Sequence, residues 1–165
     1  PYYFWGAYNI VEMNSSTNVT RNPRVDDDKK SPARVFTANN TPSFVNSFEG
    51  LPMPTEDFVR NFGRRMHHMA YAVVDGNVAD EKNVDFVVRQ LAEMGTEFLA
   101  HVVGECKDEP NLKQIFSKAS RYSMLITEYV ERCHGYEGFF TRDNVAALTA
   151  AAGEAERYDH GQVFD

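Results

Sequence analysis

With 165 residues, of which 42% are hydrophobic and 20 are Phe or Tyr (12 and 8), the chain has apolar surface enough for one domain with a buried core. A net charge of −7, from 24 acidic residues against 17 basic ones, without a Lys/Arg stripe interleaved with aromatics, excludes a phosphate-tracking groove, so nucleic acid is not an expected partner. No run approaches the roughly 20 apolar residues that span a bilayer. Cys106 and Cys133 make neither a disulfide framework nor a paired metal spacing, so a soluble, cytoplasmic protein with no membrane partner is expected.

Residues 2–13 are aromatic and β-branched and read as a strand, whereas 14–32 are polar, charged and Pro-bearing, the pattern of an exposed, mobile loop. A second strand follows at 33–38, and Thr55 is placed to cap a short helix through Phe62. Residues 66–75 form a strong strand closed by the turn signal Asp75-Gly76-Asn77. Asp80 opens a helix whose apolar stripe is Val84, Phe86, Val87, Val88, Leu91 and Met94, with Gly95 as its C-terminal cap. Strands are predicted at 97–103, 113–117 and 122–132, and Asp143 caps a last, Ala-rich helix.

The order from 66 to 132 is strand, helix, three strands, a βαβββ module without the alternation of a doubly wound sheet. Residues 1–65 read as a partial first module lacking its opening strand and helix, and 133–165 as a C-terminal helix and tail, all in one α+β domain over 1–165. The Pro1 start and the incomplete module suggest a piece of a longer enzyme, whose exposed edge a second copy of the chain, a homodimer, would cover.

Two strands carry groups with chemistry. Alternation puts His68, Ala70 and Ala72 on one face of the first, and His67, Met69, Tyr71 and Val73 on the other, packed against the following helix. The small side chains beside His68 leave room for a non-protein group; the competing reading is a hydrogen-bonded core or edge histidine. In the last strand Tyr122, Met124, Ile126, Glu128 and Val130 share a face, setting a carboxylate within an apolar row. Glu128 must then be neutralised by protonation, by an Arg or Lys, or by a cation. Imidazole plus carboxylate suits Fe(II) or Mn(II) better than a thiolate-rich zinc site.

Four segments in order resemble the catalytic half of the 4-hydroxyphenylpyruvate dioxygenase family: HHMAYAVVD (67–75), QIFSK (114–118), LITEYVER (125–132) and GFFTRDNVAAL (138–148). The resemblance implies a vicinal oxygen chelate fold, paired βαβββ modules curled into a half-open barrel around Fe(II). It puts metal ligation on His68 and Glu128, makes Gln114 a catalytic residue that orients the substrate, and has Phe116, Phe139 and Phe140 stack on the substrate ring, whereas the sequence alone favours ordinary core packing for these Phe residues. The implied reaction decarboxylates an aromatic 2-oxo acid such as 4-hydroxyphenylpyruvate and couples this to hydroxylation with O2. The family has a second iron histidine in the preceding module, and no histidine precedes His67; His67, His101, His134 and His160 do not fall on its position. A non-catalytic small-molecule binder with an incomplete metal site is therefore the alternative.

Overall fold

A computed structural model describes residues 3–11, 14–21, 33–41 and 54–155. They fall into two compact units, divided between Arg64 and Arg65. No helix among the described residues is long and apolar enough to cross a membrane.

In the first unit, strands β1 (Tyr3–Ile10), β2 (Ser15–Arg21) and β3 (Arg34–Asn39) form an antiparallel sheet in the order β1-β2-β3. The central strand lies inside the stretch whose polarity predicts a loop. Thr17 and Val19 point inward and are buried while Asn18 between them is exposed, the period of two that a strand needs. β-Branched Thr and Val favour this geometry, and Thr17 stands opposite Thr37 with the hydroxyls 3.4 Å apart. The rest of the predicted loop, 22–32, lies outside the described residues. Helix α1 (Pro54–Phe62) opens on its proline, which suits a first position with no amide to satisfy. Thr55 thus lies inside the first turn, and the capping role falls to Asn39, whose Oδ1 accepts the Glu56 amide at 2.7 Å.

The second unit holds the βαβββ order. Strand β8 (Ile126–Cys133) is central, with β4 (His68–Val73) parallel on one side and β7 (Asn111–Phe116) antiparallel on the other. The strand predicted at 97–103 is reduced to two bridges onto the free side of β7, Phe98 to Ser117 and Val103 to Gln114, the latter pair exchanging both backbone hydrogen bonds at 2.9 Å. β8 starts four residues later than predicted, because Met124 turns at φ 57° and its amide bonds back to Ser120. Tyr122, 84% exposed, and Met124 therefore do not share the Glu128 face.

Helix α2 (Asn83–Glu93) also starts later than Asp80, after a ribbon of β5 (Asn77–Val78) and β6 (Glu81–Lys82). Its N-cap, Lys82, makes no side-chain cap bond. Glu131 of β8 supplies the acceptor: Oε2 takes the Val84 amide at 2.7 Å, Oε1 takes the Gly76 amide at 3.1 Å, and Lys82 Nζ pairs with Oε1 at 3.0 Å. The C-terminus follows the prediction: Gly95 at φ 96° donates to Ala92 and Thr96 to Leu91, the two bonds of a Schellman cap. The helix lies against β8 and leaves Met69 and Tyr71 of β4 38% and 52% exposed, so it does not cover the bulky face of β4 as alternation suggested. Helix α3 (Arg142–Ala155) is capped by Thr141, whose Oγ1 accepts the Asn144 amide at 3.3 Å, with Asp143 inside the first turn.

Cys106 and Cys133 are joined by a disulfide, with their Cα atoms 5.7 Å apart. Their sequence separation of 27 gave no hint of it, since the contact depends on the 104–110 loop returning to the end of β8. The cysteine argument for a cytoplasmic protein lapses with that bond.

Candidate metal and substrate site

Sheet register gathers the predicted residues of the second unit on one face. Ala70 stands opposite Glu128 in the parallel pair, and Phe116 stands opposite Glu128 in the antiparallel pair, so His68, Glu128, Gln114 and Phe116 alternate onto the same side. His68 Nε2 lies 3.4 Å from Glu128 Oε2, and the His68 and Phe116 ring centroids are 5.0 Å apart. Gln114 is buried, and its Oε1 is the one buried side-chain polar atom among the described residues without a hydrogen-bond partner.

The electrostatics of the His68–Glu128 contact are those of two groups each denied its charge. Burial raises the Glu128 carboxyl from 4.5 to about 7, offset in part by the Arg132 guanidinium. The His68 ring is 37% exposed overall, yet its nitrogens face Glu128 and His67; loss of solvation first, and the neighbouring His67 second, lower it from 6.5 to about 4. Near neutrality the pair is a neutral imidazole beside a half-protonated acid rather than an ion pair. Neutral imidazole is the form that binds a metal, and an ionised Glu128 is the form a cation would restore.

The other predicted positions divide. Phe139 and Phe140 touch each other edge to face at 6.4 Å and sit at the far end of β8, against Arg132. Arg132 Nε donates to the Gly138 carbonyl at 2.8 Å and Nη2 to the Phe139 carbonyl at 3.2 Å. Arg132 itself, four residues after Glu128 and so on the same face, went unremarked in the sequence, where only the glutamate of LITEYVER drew notice. His67 departs from the alternation. β4 begins at His68, so alternation does not extend back to His67, and its Nδ1 lies 2.9 Å from His68 Nδ1. His101 is exposed, the His134 amide donates to Asp75 at 2.8 Å, and His160 lies outside the described residues.

A second cluster of metal-ligating types, Asp75, Glu131 and Cys133, is already committed. Cys133 is in the disulfide, Glu131 caps α2, and Lys82 bridges Asp75 and Glu131 at 2.9 and 3.0 Å. A resident ammonium leaves that cluster nothing for a cation to do.

No protein-family profile matches the sequence, and no curated protein does. Solved structures do match. A hypothetical protein of Bacillus halodurans C-125 superposes with a TM-score of 0.54 at 11% identity, over 83% of this chain and 80% of that one. A methylmalonyl-CoA epimerase in complex with methylmalonyl-CoA and NH4+ gives 0.53 at 12% identity, over 83% and 81%. The Streptomyces coelicolor methylmalonyl-CoA epimerase in complex with 2-nitronate-propionyl-CoA gives 0.50 at 13%, over 79% of each chain. The chain has a vicinal oxygen chelate fold. At such identities the likeness extends to the fold alone, and these neighbours lend this chain no substrate.

Proposed function

We propose that the His68–Glu128 face is the metal and substrate site of a non-haem Fe(II) dioxygenase acting on an aromatic 2-oxo acid such as 4-hydroxyphenylpyruvate. The observation that supports this reading is the convergence of a neutral imidazole, a carboxylate that burial holds above its usual range and an unsatisfied amide oxygen beside one aromatic ring. The donor set fits the group. Nitrogen and oxygen without thiolate favours iron or manganese, and a bound cation would favour the ionised form of Glu128 that burial disfavours. His68 Nε2 and Glu128 would hold the ion, which when bound supplies a chelation point for the 2-oxo acid and activation of O2.

The chain's own groups do the rest. Gln114 Oε1, buried and unpaired, accepts a hydrogen bond from a hydroxyl of the substrate and fixes its orientation. Phe116, beside His68, provides an apolar wall for the ring, and Phe139 and Phe140, held through their backbone by Arg132 and Tyr136, keep water from the other end. O2 and the oxo acid are the expected partners.

One observation favours a second reading, a small-molecule binder without catalysis: no third His, Cys, Asp or Glu joins His68 and Glu128 among the described residues. Oxygen uptake with 4-hydroxyphenylpyruvate after anaerobic Fe(II) loading separates the two. The enzyme reading expects uptake that chelator, His68→Ala and Glu128→Ala each abolish. Absence of uptake together with ligand binding that ignores chelator would establish the binder instead.

A further inference from the structure

We infer that the Cys106–Cys133 disulfide is a thiol-responsive strap: closed, it holds the 97–103 edge against β7 and with it Gln114, and opened by exchange with a glutathione-type thiol, it releases that edge. β7 lies between this edge and β8, and the loop that joins the edge to β7 is tied by Cys106 to Cys133, the last residue of β8. In an antiparallel ladder the amide and carbonyl of one residue point to the same neighbouring strand. Both of these groups of Gln114 go to Val103, at 2.9 Å each, so its backbone is held by the edge and not by β8. The Gln114 side chain is buried on the His68–Glu128 face with Oε1 unpaired, so the aim of that oxygen depends on where its backbone is held. Val103 stands only three residues before Cys106. The loop beyond it is exposed at Glu105 and from Lys107 to Pro110, and its Lys107–Glu105 ion pair is internal, which leaves the disulfide as its tie to β8.

The two sulfurs differ in access, since Cys133 is fully buried whereas Cys106 is half-buried between exposed neighbours. A glutathione thiolate therefore attacks Cys106 Sγ. The S–S bond breaks, a mixed disulfide forms on Cys106, and Cys133 leaves as a thiolate that takes up the proton shed by the attacking thiol. A second glutathione attacks the mixed disulfide at the glutathione sulfur, giving the Cys106 thiol and oxidised glutathione. Two glutathiones thus pass two electrons to the pair, and oxidised glutathione reverses both steps.

The effect on turnover rests on the reading of Gln114 as a substrate contact, and the test separates the strap from that reading. Glutathione should open the bond in the native protein, scored by mass after thiol blocking in denaturant. Hydrogen exchange of the Val103 and Gln114 amides should then speed up by about 10-fold or more relative to amides of β4 and β8, and oxidised glutathione should restore the slow exchange. In Fe(II)-loaded protein, reduction should lower kcat/KM for 4-hydroxyphenylpyruvate by about 10- to 100-fold with iron content unchanged. In Gln114→Leu, reduction should have little further effect on kcat/KM, because the two changes act on one contact. Cys106→Ser should match the reduced wild type in both assays. A bond that glutathione opens only when the protein unfolds overturns the inference. So does faster exchange that is uniform across the sheet, or an equal fall in kcat/KM in Gln114→Leu. If the Val103 and Gln114 amides loosen selectively but the oxidised protein shows no turnover, the strap stands and the dioxygenase reading falls.

Discussion

The raised Glu128 carboxyl makes a prediction about stability that needs no substrate. In metal-free protein the folded state holds the Glu128 proton up to about pH 7, while the unfolded state releases it near 4.5. Between those values the unfolded chain binds fewer protons than the folded one, so Glu128 lowers stability as pH rises through that window. A shift from 4.5 to about 7 corresponds to about 3 kcal/mol, absent below pH 4.5 and fully present above pH 7. His68 acts in the opposite sense. Lowered from 6.5 to about 4, it destabilises at acid pH and stops doing so as pH rises through that range, by an amount that its partial exposure reduces. Glu128→Gln keeps the shape and removes the titration. In chelator, urea unfolding should find the variant more stable than wild type by a margin that grows by about 3 kcal/mol from pH 4.5 to pH 8. With Fe(II) added at pH 8 the order should reverse, since only the wild type keeps the carboxylate that binds and is stabilised by the ion. A difference between the two proteins that does not change with pH would refute the claim that burial of Glu128 outweighs its compensation by Arg132.

Other perturbations test the frame around the site. Reducing the Cys106–Cys133 bond, or Cys106→Ser, should cost about 3.5 kcal/mol in urea unfolding, the chain entropy of a loop with a separation of 27; no loss would mean that the bond is not formed in solution. Glu131→Ala removes the acceptor of the Gly76 and Val84 amides and the partner of Lys82, and should lower stability by about 3–5 kcal/mol, far more than an exposed glutamate. Gln114→Leu removes an unpaired buried oxygen and should raise the stability of the ligand-free protein by about 1 kcal/mol while lowering kcat/KM. Gly104→Ala should destabilise sharply, because φ is 91° and a Cβ there would clash with the Leu112 carbonyl oxygen; a soluble variant with wild-type Tm would contradict that packing.

What could be read from the sequence followed from how local each cause was. Period-two alternation located β4 and β8 and the faces of His68 and Glu128 within them, whereas the sheet register that brings these two together with Gln114 and Phe116 depends on pairing that alternation does not specify. Gly95 was legible because a Schellman cap needs a left-handed residue at one position. The failures came from partners distant in sequence. Asn39 and Glu131 take capping roles that local rules assign to Thr55 and Asp80, and the disulfide spans loops no spacing rule connects. β2 was missed because Thr, Ser and Asn were weighed as polar, although Thr17 and Val19 carry the strand's inward row. The face of His67 does not follow from alternation because β4 begins at His68, two residues after the predicted start.

Glu128 and Glu131 make the strongest case for separating site from scaffold. They lie three residues apart on one strand, hence on opposite faces, and both are buried. Around Glu131 the fold has assembled two backbone amides and the Lys82 ammonium, so its charge is met within the protein. Glu128 has a neutral imidazole at 3.4 Å and Arg132 only at longer range, with an unpaired amide oxygen on the neighbouring strand. A sheet that meets the charge of one buried carboxylate so fully has no architectural reason to hold another, 3 residues away, above the usual carboxylate range. That contrast favours a ligand as the missing partner of Glu128, and it explains why replacing Glu131 should weaken the fold whereas replacing Glu128 should strengthen it at the expense of metal binding.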